Sequence, residues 1–235
     1  MGPGEKMVSR RTFVLGVLFL AIVLGWALGE RRQSEARARA DAQPPVTVDK
    51  QPVNFVQRTF DPANPPADMP PFTPGESAVC DSNFLSNVSV DGDGQQTDAT
   101  DEVVTITRVK VTLQLNITIW VPNGAPQHLL DHEDGHRQIS EFYYQTADQL
   151  AQRIAAAYIG KKESVSGADL NAAFNTLLQH DGSEIADEYN KELNPEPTQQ
   201  RYDLITDYSR NGVSASDAVA QALKDVSPSA PPAQD

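Results

Sequence analysis

The chain has 235 residues, 39% of them hydrophobic, and a net charge of −13. That length suits one domain with tails rather than two full domains. Residues 1–40 hold seven Lys or Arg and three Asp or Glu, so the remainder carries −17, a surface that repels phosphate backbones and argues against nucleic-acid binding.

Residues 13–29, FVLGVLFLAIVLGWALG, form one uncharged apolar run preceded by Lys6, Arg10 and Arg11. A run of this length serves as a signal-peptide core or as a short membrane span. The flank SRRTFVL at 9–15 looks like a twin-arginine export signal. Small residues at Ala38, Ala40 and Ala42 offer cleavage sites, while Arg31 and Arg32 directly behind the run favour an uncleaved inner-membrane anchor. Either outcome places the rest of the chain outside the cytoplasm, secreted, periplasmic or membrane-anchored.

Residues 41–78 contain nine of the 17 prolines. Proline fixes φ and lacks a donor, so this stretch reads as an extended linker, with one short strand at 53–60. The folded domain is expected over 79–210, and 211–235 as a short helix, Ala215–Asp225, with a disordered tail from 227. The lone Cys80 excludes an internal disulfide framework and suits a small buried apolar residue.

Within the domain, 83–90 reads as a strand and the acidic stretch 91–102 as a solvated loop. Its spacing is not that of a calcium-binding EF-hand. From Val109 to Ile119 every odd position is apolar, and every even position from Arg108 to Thr118 is polar. Strict period two predicts a strand with one buried face, of the kind antiparallel sheets use. Residues 121–126 form a turn, and Pro126 fits the first position of a helix. Leu129, His132, His136, Ile139, Tyr143, Thr146 and Leu150 then recur at helical spacing to about Ile159. Residues 160–167 break this helix, and Ser166 is a candidate cap for a second. Leu170, Phe174, Leu177, Leu178, Ile185, Tyr189 and Leu193 form that second stripe, which Pro195 and Pro197 end. Strands followed by helices predict an α+β fold with an antiparallel sheet.

The first helix carries His132-Glu133-Asp134-Gly135-His136. Positions i and i+4 lie about one turn apart on one face, so both imidazoles can reach one ion. Neutral imidazole nitrogen suits Zn2+. Glu133 sits about 100° round the helix, beside the pair. The pattern predicts a peptidase in which Glu133, as general base, takes the proton of a zinc-bound water and later passes it to the leaving amine. Both histidines share the stripe of Leu129, Ile139 and Tyr143, so they face the interior, where imidazoles need partners.

Residues 129–154, LLDHEDGHRQISEFYYQTADQLAQRI, are similar to the core of a family of uncharacterised bacterial proteins described as predicted secreted zinc-dependent proteases. The resemblance covers about 80–205 and is strongest at His132, Glu133, Gly135 and His136. It implies a zincin-like fold, a β-rich segment before an HExGH helix, and a bound zinc. The family has a later Tyr-Asp-x-x-Thr-x-His-Gly pattern. On this chain that pattern is placed at 189–196, where Tyr189 is kept and Asn190, Leu193, Pro195 and Glu196 replace Asp, Thr, His and Gly.

A catalytic zinc usually has three protein ligands. His128 lies eight residues before His136, about 12 Å along the axis, too far to share an ion with it. Glu141 points away and is expected to pair with Arg137. His180 falls on a polar face. Glu192 follows Ile185 and Tyr189 at i+7 and i+3, on the inward stripe, and is the expected third ligand, with Glu188 second. Tyr189 is expected in the core, or at the site as an oxyanion donor. The competing function is a non-catalytic cell-envelope binding protein whose HExxH helix is structural or degenerate.

Overall fold

A computed structural model describes residues 44–72 and 75–226. The apolar run at 13–29 and the tail from 227 lie outside the described residues. Among the described residues no helix is long and apolar enough to cross a membrane.

The fold is α+β, built on one long central strand. In chain order the elements are β1 (Val46–Lys50), β2 (Asn54–Phe60), β3 (Val79–Gln96), β4 (Asp101–Pro122), α1 (Gln127–Gln145), α2 (Ala147–Tyr158), β5 (Lys162–Ser166), α3 (Leu170–Glu192), α4 (Glu196–Thr206) and α5 (Ala215–Val226). β4 is flanked along almost its whole length by antiparallel β3, from Val79↔Trp120 to Gln96↔Glu102. Its other edge takes β1 and β2, both parallel, and antiparallel β5. The sheet is therefore mixed, not antiparallel as expected. Alternation along β4 reports a one-sided core and is silent on strand direction, which the chain's return path decides.

β2 falls where a short strand was expected at 53–60, and β1 occupies a stretch expected to be linker. They run along the same edge of β4 with a one-residue slip in register, Val46↔Val109 against Asn54↔Asn116. The break falls at Gln51-Pro52-Val53. Gln51 still donates its N–H to the Leu113 carbonyl at 2.9 Å; Pro52 has no N–H to give. The expected acidic loop shrinks to the turn 97–100, since β3 continues to Gln96 through a bulge at Asp91/Gly92. Residues 162–166 pair with β4 instead of only breaking the helices.

The period-two pattern does set the core. Val109, Val111, Leu113, Leu115, Ile117 and Ile119 are all buried. Tyr144, Ala147, Ala151 and Ile154 from α1 and α2, with Ile185 and Tyr189 from α3 and Leu193 just past its end, cover that face. The long helix expected to Ile159 bends at Thr146 into α1 and α2. α3 is capped by Asp169, whose carboxylate accepts from the Ala172 N–H at 3.0 Å, and not by Ser166.

Pro195 and Pro197 end α3 as expected but also begin α4. Proline's missing donor is no loss in a first turn, where no intrahelical acceptor exists. α4 and α5 pack on the side of α1 away from Tyr144: Ile139 and Tyr202 cluster with Ala218, Val219 and Ala222. The last helix thus belongs to the same body as the domain before it.

Candidate metal centre

α1 turns His132, Glu133, Gly135, Ile139 and Ser140 inward. α4 meets this face with Thr198, Gln199, Tyr202, Asp203 and Thr206, spaced i, i+1, i+4, i+5 and i+8 on one side of a helix. Bonds from three residues of α4 fix the docking. Tyr143 and Thr198 hydroxyls lie 2.6 Å apart. Gln199 Nε2 donates to the His136 carbonyl at 3.1 Å and to Ser140 Oγ at 3.0 Å. Tyr202 Oη donates to the His132 carbonyl at 3.1 Å. The Tyr202 ring stacks on His132 and stands edge-on to His136, with centroids 5.1 and 4.9 Å away.

Gly135 makes this approach possible. A Cβ there would fall inside the Tyr202 phenol, which is fully buried.

Docking α4 brings Asp203 to the histidine pair. His132 Nε2 and His136 Nε2 are 3.2 Å apart. Asp203 Oδ1 lies 2.9 Å from His136 Nε2 and 3.4 Å from His132 Nε2. Four atoms about 2.0–2.1 Å from a tetrahedral zinc lie about 3.3–3.4 Å from one another, so this triangle has the dimensions of one face of such a shell. Asp203 Oδ1 is buried and meets no hydrogen-bond geometry with either ring. A cation satisfies such an oxygen. His132, His136 and Asp203 together can hold a metal ion.

The surroundings prepare the ligands. Gln199 Oε1 sits 2.6 Å from His136 Nδ1. An amide oxygen only accepts, so His136 carries a proton on Nδ1, which leaves Nε2 as the nitrogen that can bind a metal. Burial would lower the His136 pKa, but contact with Asp203, aided by Glu133 and Gln199, holds it above the usual histidine value. Burial would raise Asp203, yet contact with the two imidazoles holds it below the carboxylate range.

Glu133 is 3% exposed and lines the same cleft of about 320 Å³ as His136 and Asp203. Burial pushes its pKa up to about 7, with the charges of Glu76 and Asp203 adding to the rise; His136 and the Cys80 N–H, which bonds to the carboxylate, oppose it. A carboxyl that titrates near neutrality can both take and return a proton. Cys80 lines the cleft as well, and desolvation pushes its thiol up to about 12, so the metal-free thiol stays protonated at neutral pH.

The expected third ligand is elsewhere. Glu192 ends α3 and forms an ion pair with Arg153 of α2. Its place on the stripe of Ile185 and Tyr189 did not carry inward because the helix stops there and its carboxylate reaches across to a neighbouring arginine. Glu188 is exposed. Tyr189 is a core residue, as one of its two expected roles had it. Glu141 pairs with Arg137 at 2.7 Å, and His180 lies on the surface beside Glu184, both as expected. His128 is exposed.

Asp203 was missed because α4 was missed. A signal for it exists in the pattern of the resembling family. Tyr202-Asp203-Leu204-Ile205-Thr206 keeps its Tyr, Asp and Thr, whereas the placement at 189–196 keeps only Tyr. In this register Tyr208 and Ser209 stand where the pattern has His and Gly. They belong to a left-handed run, Asp207, Tyr208 and Ser209, with φ of 47°, 53° and 65°. No family model, curated protein or solved structure matches the chain.

Two outcomes follow from this geometry. Gly135→Ala forces Tyr202 or α4 to move, so it is expected to cost about 1–3 kcal/mol of stability and to weaken metal binding at least about tenfold; urea unfolding and zinc titration check both. Glu133 contributes stability that is full below about pH 4.5 and lost as pH rises through about 7, because its folded pKa is raised. The metal-free parent is therefore expected to lose about 3 kcal/mol relative to Glu133→Gln between pH 4.5 and pH 8, read by urea unfolding at both pH values.

Proposed function

We propose that the chain is an extracytoplasmic zinc-dependent peptidase with a zincin-like site, in which His132, His136 and Asp203 hold Zn2+ and Glu133 is the general base. The observation that carries this reading is the triangle of two imidazole nitrogens and one carboxylate oxygen beside a buried carboxyl of raised pKa. The resemblance of 129–154 to predicted secreted zinc-dependent proteases supports it, as does the Tyr-Asp-x-x-Thr run at 202–206.

Zinc, when bound, supplies Lewis acidity and makes water acidic enough to ionise near neutral pH. The other parts are the chain's own. Glu133 accepts a proton from the attacking water and delivers it to the leaving nitrogen. Gln199 keeps the His136 tautomer, and Tyr202 walls off the ligand rings from solvent. β3 has no strand on its outer edge among the described residues, and Val79–Ser82 of that edge line the cleft. Cys80 turns its N–H outward to Glu133, so Ser82 two residues on presents its own main-chain groups to the same side. An extended peptide can add to that edge and bring a carbonyl to the metal site.

The export signal or anchor expected at 13–29 sets the reading's location outside the cytoplasm. Tyr208, where the family pattern has histidine, favours a second reading: a cell-envelope binding protein with a non-catalytic site.

One comparison separates the two. The zinc-loaded full chain is incubated with a mixed peptide library, and cleavage is read by mass spectrometry beside Glu133→Gln. The peptidase reading expects cleavage by the parent, and a variant that keeps about one zinc per chain but cleaves at least about a hundredfold more slowly. A zinc-loaded parent that cleaves nothing would leave the binding protein.

A further inference from the structure

The cleft beside the metal centre is charged in one direction. Besides Glu133 and Asp203 it is lined by Glu76, ahead of β3, by Asp81 in β3 and by Glu196 in the first turn of α4, and by no Lys or Arg. Three separate parts of the chain thus contribute one carboxylate each. A divalent ion with Asp203 and ionised Glu133 sums to zero, so the metal leaves the negative charge of Asp81 and Glu196 in place.

Nearby cations do not cancel it. Arg137 of α1 is engaged by Asp134 and Glu141, at 2.7 Å each. Among the described residues Asp81 and Glu196 enter no ion pair, and the Glu196 side chain accepts only from the Gln200 amide, at 2.8 Å. The cleft is a site on separate grounds, since the ligand triangle and the buried Glu133 open into it. The acidic wall adds a preference to that site. A low-dielectric groove lined by one sign of charge focuses the field on whatever it holds.

We propose that this cleft takes peptides carrying a lysine or arginine side chain close to the scissile bond. The inference rests on the peptidase reading for its reaction and on the lining carboxylates for its selectivity. A basic side chain beside the scissile bond would lie within reach of Asp81 or Glu196, and an acidic one would meet like charge. Both carboxylates are exposed at the rim, so the preference fades as salt screens them.

The test uses the zinc-loaded full chain and matched fluorogenic peptides that differ only in Lys, Ala or Glu beside the cleaved bond. The expected order of kcat/KM is Lys, then Ala, then Glu, with a Lys-to-Glu ratio on the order of tenfold or more at low salt. The double variant Asp81→Asn with Glu196→Gln is expected to shrink that ratio several-fold. The same peptides are bound to zinc-loaded Glu133→Gln and followed by fluorescence anisotropy. Cleavage with a ratio near one, or with the order reversed, overturns the preference and leaves the peptidase. Tighter binding of the Lys peptide without cleavage by the parent keeps the preference and overturns the peptidase. Neither cleavage nor preferential binding overturns both.

Discussion

The contact between Gly135 and Tyr202 is the constraint on which the centre depends. A helix normally keeps a neighbour at 8–10 Å between axes, because side chains stand between them. At Gly135 there is no side chain, and the Tyr202 phenol occupies the space. The close approach places its hydroxyl on the His132 carbonyl and its ring on both imidazoles. Asp203, one residue further, is then delivered to the two Nε2 atoms. Moving α4 outward would separate the carboxylate from the pair while leaving α1 intact.

The centre concentrates groups that are costly to bury. Glu133 at 3% exposure and His132 at 4% sit in the interior, with Asp203 close to them. Desolvation of such groups destabilises a fold unless partners or an ion offset it. Partners exist for part of the set: Gln199 for His136, the Cys80 N–H for Glu133. Asp203 Oδ1 and His132 Nδ1 are buried without a hydrogen bond. Clusters of perturbed and underserved groups in a cleft mark functional sites more often than structural ones. The rest of the domain supplies the stability that this arrangement consumes, through the apolar face of β4 and the helices packed on it.

Much of this was readable from residues alone. Period two over 109–119 located the buried face of β4, and helical spacing from Leu129 placed the two histidines on its inward side. Spacing does not encode which way a strand is approached, so the parallel pairing of β1 and β2 was invisible. Prolines misled twice. They made 46–50 look like linker beside the strand expected at 53–60, although Pro52 only interrupts an edge pairing between two strands. They also made 195–197 look like an end, although proline is as much at home in a helix's first turn. Asp203 followed that second error. A periodicity argument picks inward residues on a helix already recognised; it points to Glu192, the last residue of α3, which the structure pairs with Arg153.

The claim that ties these observations together is that His132, His136 and Asp203 form one metal site. The most direct measurement is zinc affinity and stoichiometry for the full chain, compared with Asp203→Asn and Glu192→Ala. The account predicts about one zinc per chain for the parent, unchanged binding for Glu192→Ala, and affinity at least about tenfold weaker for Asp203→Asn. Parent-like binding by Asp203→Asn, or loss of zinc in Glu192→Ala, would contradict it.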